Sequence, residues 1–254
     1  LHGRRESRPH RISGVVSPVA EVKAFFRAAL LTPVERDHTE PDTAFQRRRI
    51  VAAVTLVVGA VALGLALRIQ PGNDLFYPAT LGVAAVWTVG ALASGRLYRG
   101  QAHTRDGGTG HPVLQAFLLG AGLLVVFLAG AALVAQIPVL REPVEDLLDH
   151  ARYGSLWIVA VITAINGVAE ELFFRGGLYS AVGRTRPVLI TTIVYALATV
   201  ATGVVLLVFA ALALGTLVGL QRRVTGGVLG PIITHLTWSL GMLFLLPPAL
   251  NLWS

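Results

Sequence analysis

The 254-residue sequence contains no cysteine, which excludes disulfide bonds and thiolate chemistry within the chain. Zinc sites built on cysteine ligands are excluded for the same reason. Charge is also scarce, because only 14% of the residues are Asp, Glu, Lys or Arg, whereas a soluble domain carries about a quarter. Hydrophobic residues make up 54%, and the mean hydropathy is +0.67. The composition therefore predicts a polytopic α-helical membrane protein.

Acidic residues are outnumbered by basic ones, 14 to 21, which gives a formal net charge of +7. Such an excess can indicate nucleic-acid binding, but the arginines occur in the N-terminal region and in short segments between apolar runs. This is the positive-inside distribution of a membrane protein rather than the basic stripe of a nucleic-acid groove. We expect no nucleic-acid partner.

Residues 1–49 precede the first apolar run and are predicted to form a cytoplasmic basic tail. Residues 1–16 hold four arginines with little apolar content, which is typical of a mobile arm. Between residues 18 and 31, apolar side chains recur at helical spacing, which predicts an amphipathic helix too short to cross a bilayer. We expect this helix to lie on the membrane surface. The alternative is a short helix packed on the protein's own loops.

The remaining sequence is organised as apolar runs separated by polar turns. Residues 187–220 are too long for one span of about 20 residues, so Thr202 and Gly203 are the expected turn. The predicted fold class is all-α, with about seven transmembrane helices plus the N-terminal interfacial helix. Residues 50–154 then hold the N-terminal membrane helices and residues 155–254 the C-terminal core helices. The predicted spans are 50–67, 78–97, 112–135, 156–179, 187–201, 204–220 and 228–246.

Seven spans place all basic clusters on one side of the membrane. An N-terminus in the cytoplasm and a C-terminus outside satisfy the positive-inside rule, and the acidic segment 136–154 then becomes an outer loop. The expected location is a bacterial plasma membrane. The clusters that alternate in this way are Arg47–Arg49, Arg96 with Arg99 and Arg105, Arg184 with Arg186, and Arg222 with Arg223.

Small residues four apart occur late in the chain, at Gly215 and Gly219 and at Gly226 and Gly230. This spacing lets two helices approach closely in lipid. We expect it to serve packing within the chain, with a dimer interface as the alternative, and the oligomeric state stays open.

Three ionisable residues interrupt the fourth span: Glu170, Glu171 and Arg175. One charged side chain at the centre of a bilayer already costs about 2.5–3.5 kcal/mol, so these residues indicate a functional site. Glu171 and Arg175 are four apart and share a helix face, which predicts an ion pair. Glu170 is rotated by about 100°, with Asn166 one turn earlier on its side, and is the carboxylate available for chemistry.

His235 is the histidine that falls inside a predicted span, whereas the other six lie in tails or loops. From the rise of about 1.5 Å per residue, it reaches a depth similar to that of Glu170, nearer the cytoplasmic side. We therefore expect Glu170 to face His235 across a pocket. The alternative is a histidine that only hydrogen-bonds a neighbouring helix.

The pattern Glu170-Glu171-x-x-x-Arg175 resembles the EExxxR signature of the CPBP intramembrane proteases, which include the CAAX prenyl endopeptidases. The resemblance covers roughly residues 155–246. His235 with Ser239 is similar to the family's third motif, HxxxN, with serine in place of asparagine. The counterpart of its second motif, FxxxH, is Tyr195 to Thr199, where threonine stands at the histidine position.

The resemblance implies an intramembrane endopeptidase that cuts a membrane-associated peptide or protein, with membrane lipids as its surroundings. It also suggests Zn²⁺ held by Glu170 and His235, although a catalytic zinc normally takes three protein ligands. A metal-free mechanism is the alternative. In it Glu170 activates water as a general base, and His235 with the hydroxyl of Ser239 or Thr199 donates to the oxyanion. The resemblance thus implies a catalytic core in residues 155–254, with Glu170, Glu171, His235, Ser239 and Thr199 as catalytic residues and Arg175 in a structural ion pair.

Two other functions remain open. The same scaffold without catalysis could bind a partner membrane protein, since the second-motif histidine is missing. A transporter using the buried acids as a proton relay is a third class. For the protease, we expect a cavity that opens toward the cytoplasmic leaflet, with Phe173, Phe174, Tyr195 and Trp238 either lining it or packing helices.

Overall fold

A computed structural model of the chain describes residues 17–36, 38–70, 72–152 and 155–252. The predicted basic arm, residues 1–16, lies outside the described residues, as does Pro71, which lies between the first two predicted spans. The described part is almost entirely helical, with one short antiparallel pair of strands. The predicted all-α membrane class is confirmed.

Six of the described helical stretches are long and apolar enough to cross a membrane. A π-helical segment joins α6 to α7, so these elements together form one such stretch, Leu156–Val182. The elements in chain order are α1 Pro18–Leu30, α2 Asp42–Ala66, α3 Phe76–Ser94, β1 Ala102–His103, β2 Thr109–Gly110, α4 Val113–Val134, α5 Pro138–Arg152, α6 Leu156–Glu171, the π-helical segment Leu172–Leu178, α7 Tyr179–Val182, α8 Pro187–Val200, α9 Val205–Thr225 and α10 Leu229–Leu252.

The apolar stretch 187–220 folds back at the predicted turn. Gly203 has φ of 77°, a left-handed conformation that glycine adopts without a steric penalty. The fifth predicted span, α8, is shorter than the others, since its 14 residues rise only about 21 Å. A Cβ added at Gly215 or at Gly219 would lie 3.2 or 3.0 Å, respectively, from an α8 side chain. This pair of small residues therefore serves packing within the chain.

The predicted amphipathic helix is present as α1. It begins after Ser17, whose hydroxyl accepts a hydrogen bond from the backbone N–H of Ala20. Ala29 is fully buried, whereas Val19, Val22 and Phe26 are 64%, 55% and 48% exposed. An exposed apolar stripe on a short helix fits a position at the membrane surface.

One helix was not predicted. The acidic segment, expected to be a loop, contains α5, in which Arg141 and Glu145 form an ion pair of 2.8 Å one turn apart. Leu148 is buried beside Ala131, Ala135 and Leu250. The helix is amphipathic, with charged residues on most of its surface and apolar residues on one face, so a search for continuous apolar runs does not find it.

The basic clusters meet at one end of the bundle, which we call the basic end. Arg48 is buried and contacts Glu40, the hydroxyl of Ser94 and the carbonyl of Arg96. Arg36 donates to the carbonyls of Arg223 and Val224 at 2.6 and 3.1 Å, which ties the segment after α1 to the end of α9. The predicted alternation of spans is consistent with this arrangement.

The main core packs α2, α3 and α6 around aromatic rings. Trp87 is 1% exposed and stacks on Phe173 with ring centroids 4.8 Å apart. Gly59 makes room for this indole, since a Cβ there would lie 2.2 Å from it. Phe173 is thus a packing residue, and the core fixes the end of α6 that carries the two glutamates.

Candidate functional site

The two adjacent glutamates stand where the helical geometry changes. Glu171 ends α6, and the wider π-helical turns of residues Leu172–Leu178 follow, a feature that is frequent at functional sites. Gly177 allows close contact with α3, because a Cβ there would lie 2.9 Å from the Ser94 hydroxyl. From α9, Arg222 Nε donates to the carbonyl of Arg175 at 2.6 Å. Neighbouring helices therefore hold this segment on both sides.

Glu171 and Arg175 form the ion pair that their spacing predicts. Arg175 Nη1 donates to Glu171 Oε1 at 3.1 Å, and both side chains are 0% exposed. A buried carboxylate is tolerated when it is paired and hydrogen-bonded. Glu171 therefore has a structural role, as the counter-charge of Arg175 inside the bundle.

His235 bonds Glu171 rather than Glu170. Its Nδ1 lies 2.8 Å from Glu171 Oε1, the same oxygen that accepts from Arg175. The imidazole packs against Gly167, where a Cβ would lie 3.7 Å from Nε2. Gly167 and Glu171 are one helical turn apart, so a ring that rests on the first reaches the second. His235 therefore lies at the depth of the two glutamates, but the rotation of the helices directs Glu171, and not Glu170, toward its Nδ1.

Glu170 is half-buried and faces a cavity. The Tyr195 hydroxyl donates to Glu170 Oε2 at 2.7 Å. Asn166 does not serve Glu170, since its amide donates to the carbonyl of Ile162 within the same helix. The sequence predicted Tyr195 as the counterpart of the family's phenylalanine and as a cavity-lining or packing residue, but not as a hydrogen-bond donor to Glu170. The signal for its role is the extra hydroxyl at that position.

Tyr195 also connects the two glutamates. The Arg175 guanidinium carbon lies 4.8 Å from the centroid of the Tyr195 ring, a cation–π distance. Gly215 leaves space for this guanidinium, since a Cβ there would lie 3.3 Å from Arg175 Nη2. The ion pair, the tyrosine and Glu170 thus form one contiguous cluster.

The cavity beside Glu170 has a volume of about 170 Å³. It extends toward Leu67 and Thr202, which lie at the end of the bundle opposite the basic end. The cavity thus reaches the end opposite the basic clusters, and the expectation that it opens toward the cytoplasmic leaflet stays a prediction. Its walls are mainly apolar, and its polar or aromatic lining consists of Trp87, Glu170, Phe174, Tyr195, Thr199, Thr202, His235 and Trp238.

The two hydroxyls proposed as oxyanion donors are placed differently. Thr199 lines the cavity, but its hydroxyl donates to the carbonyl of Tyr195 at 2.7 Å within α8. The Ser239 hydroxyl is buried, finds no hydrogen-bond partner among the described residues, and is absent from the described cavity lining. Among the described residues, neither hydroxyl forms a hydrogen bond to Glu170 or His235.

The donor set does not fit a catalytic zinc. Among the described residues there is no group of three His, Asp or Glu side chains placed to hold a metal ion. Glu171 is engaged by Arg175 and His235, and threonine stands where the family's second-motif histidine would be. Glu170 and His235 alone fall short of the three ligands that such a site needs.

Comparison with known proteins agrees with the resemblance of the Glu170-Glu171-x-x-x-Arg175 pattern to the EExxxR signature. Residues 152–241 match the family described as type II CAAX prenyl endopeptidase Rce1-like. Neither the curated proteins nor the solved structures gave a match. The matched segment contains the π-helical turn, both glutamates, Tyr195 and His235. Residues 152–241 are therefore similar to the type II CAAX prenyl endopeptidases, a family of membrane proteases, and this likeness agrees with the EExxxR pattern.

Proposed function

We propose that this protein is an intramembrane endopeptidase that hydrolyses a peptide bond of a membrane-associated polypeptide without a metal ion. The observation that carries the proposal is the convergence of Glu170, held by Tyr195, and His235, held by Glu171, on one cavity within the helical bundle. An acid and an imidazole, each oriented by a second group, are the parts that general acid–base catalysis requires.

In the proposed reaction, Glu170 removes a proton from a water molecule as its oxygen attacks the peptide carbonyl carbon. The tetrahedral intermediate then collapses with cleavage of the C–N bond, and Glu170 returns the proton to the leaving amine. Tyr195 acts as a positioning residue, since its hydroxyl fixes one oxygen of Glu170. The other oxygen remains available for the water.

His235 is proposed to stabilise the oxyanion as an imidazolium. Its Nδ1 donates to Glu171, which leaves Nε2 to donate to the developing negative charge. The charges of Glu170, Glu171, Arg175 and protonated His235 then sum to zero. A neutral cluster suits a site surrounded by hydrocarbon, where an uncompensated charge is costly.

The shape of the cavity supports a peptide substrate. Apolar side chains such as Leu63, Leu207 and Leu214 form much of its wall, which favours an apolar side chain of the substrate beside Glu170. Such a side chain is available from a membrane-associated chain.

The alternative function is a catalytically inactive scaffold that binds a partner membrane protein. The observation that favours it is Thr199, which stands at the family's histidine position and directs its hydroxyl to its own helix. This alternative predicts intact folding without peptide-bond cleavage.

The test is to incubate the purified protein, reconstituted in liposomes, with the membrane proteins of cells that lack it, and to identify new chain termini by mass spectrometry. Glu170→Gln and His235→Ala should lose at least about 100-fold in rate, as expected for loss of a general base or an oxyanion donor. Glu142→Gln removes an exposed acid remote from the cavity and is the matched control, expected to cleave like the parent.

Equal numbers of new termini with the parent and with Glu170→Gln would contradict the proposal. A parent that folds but produces no new termini would favour the scaffold. The metal-free mechanism predicts full activity after chelator treatment and dialysis, and activity lost with chelator and restored by Zn²⁺ would overturn it.

A further inference from the structure

A second cavity, of about 450 Å³, opens beside the first turn of α8 at the basic end. Three guanidinium side chains line it, those of Arg184, Arg186 and Arg223. None of the described residues that line it is acidic, and none also lines the cavity of Glu170. The rest of the lining is Pro187, Val188, Leu189, Thr192 and Thr216.

Two polar groups of this cavity have no partner in the described part of the protein. Thr192 is 4% exposed, and its hydroxyl finds no hydrogen-bond acceptor or donor among the described residues. Arg223 donates from Nη2 to the carbonyl of Leu30, but its buried Nε is unpaired among the described residues. A buried polar group left unsatisfied costs about 1–3 kcal/mol, so both groups favour a ligand that accepts hydrogen bonds.

The backbone adds a further attraction for negative charge. The helix α8 starts at Pro187 after Arg186, and no side chain caps its first turn. The N–H groups of a first turn lack partners within the helix and carry the positive end of its dipole. The arginines, the Thr192 hydroxyl and this helix end therefore all attract the same kind of ligand, an anion with several acceptor oxygens.

The position of the cavity indicates which class of anionic ligand it suits. Leu189 lines the cavity and is 50% exposed on the apolar helix α8. The three arginines lie at the basic end of the bundle, before α8 and in the last turn of α9. The cavity thus spans the boundary between a polar and an apolar surface. In a membrane protein this is the level at which lipid phosphates lie beside the acyl chains.

We propose that this cavity binds a phosphate group, supplied in the membrane by an anionic phospholipid. The arginines and Thr192 would hold the phosphate oxygens, and an acyl chain would follow Leu189 along α8. The proposal is independent of the protease function, because it requires binding only.

The test uses native mass spectrometry of the full chain in detergent, titrated separately with dioleoylphosphatidylglycerol and with dioleoylglycerol, which lacks the phosphate. The phospholipid should bind and the diacylglycerol should not. Arg184→Gln combined with Arg186→Gln should weaken phospholipid binding about tenfold or more, since two cations at the phosphate are lost.

The matched control is Arg47→Gln combined with Arg49→Gln, which removes the same charge from exposed positions at the same end but outside the described lining. It should bind like the parent, and equal weakening in both double variants would overturn the proposal. Thr192→Val keeps all charges and removes only an unsatisfied hydroxyl, so it serves if the arginine variant does not fold. It should bind about threefold more weakly, and unchanged binding would count against the site.

A third titration with inorganic phosphate distinguishes the source of the group. Competition by inorganic phosphate only at concentrations far above that of the lipid supports a lipid headgroup site. Tighter binding of inorganic phosphate than of the phospholipid would overturn the assignment to lipid.

Discussion

The adjacent residues Glu170 and Glu171 have different surroundings, and we therefore expect them to have different roles. Glu171 is fully buried between Arg175 and His235, whereas Glu170 is half-buried and, among the described residues, accepts one hydrogen bond, from Tyr195. The helical rotation of about 100° between adjacent residues is sufficient to separate a structural carboxylate from a reactive one. Substitutions of the two glutamates should therefore change the free energy of unfolding by different amounts.

Glu171→Gln should lower the free energy of unfolding by about 3–5 kcal/mol, because it leaves the buried Arg175 guanidinium without a counter-charge. Glu170→Gln should change it by no more than about 1 kcal/mol, since the amide oxygen still accepts from the Tyr195 hydroxyl. Chemical or thermal unfolding of the purified variants in one detergent measures both effects. Equal destabilisation by the two substitutions would show that the division between them is wrong.

At the scale of helices, apolar runs were sufficient to predict most of the membrane-spanning elements and the turn near Gly203. Apolar runs did not predict α5, whose apolar residues form one helix face and not a continuous run, nor the π-helical turns after Glu171. Spacing predicted the Glu171–Arg175 pair because both residues belong to one helix. It could not give the partner of His235, which depends on how α10 is rotated against α6.

The contact between α4 and α10 depends on one small residue. Gly120 faces α10 so closely that a Cβ would lie 2.7 Å from the carbonyl oxygen of Thr234, next to His235. Because that oxygen belongs to the backbone, it cannot move aside without shifting the helix.

Gly120→Ala should therefore destabilise the protein by about 1–3 kcal/mol and displace α10, which carries His235. Gly122→Ala is the matched control on the same helix, since nothing lies within 4 Å of a Cβ there. It should be neutral or stabilising by up to about 1 kcal/mol, as alanine favours helix. Unfolding measurements on the two variants check this, and a Gly120→Ala protein as stable as the Gly122→Ala protein would refute the close contact.

At the scale of the whole molecule, charge is distributed between the two ends of the bundle. The described basic clusters gather at the end that also holds the hairpin of β1 and β2, where Arg105 lies 4.0 Å from Glu21. The acidic helix α5 packs near Leu250 at the other end. By the positive-inside rule we propose that the basic end, with the N-terminal region, faces the cytoplasm.

The absence of cysteine makes this orientation directly testable, because any introduced thiol is the chain's single labelling site. Asp106 is exposed in the hairpin at the basic end, and Glu142 is exposed on α5 at the opposite end. In intact cells, a membrane-impermeant maleimide should label Glu142→Cys and spare Asp106→Cys, which should react only after permeabilisation. The unsubstituted chain is the control for background. The reverse labelling pattern would place the basic end outside the cell and contradict the proposed orientation.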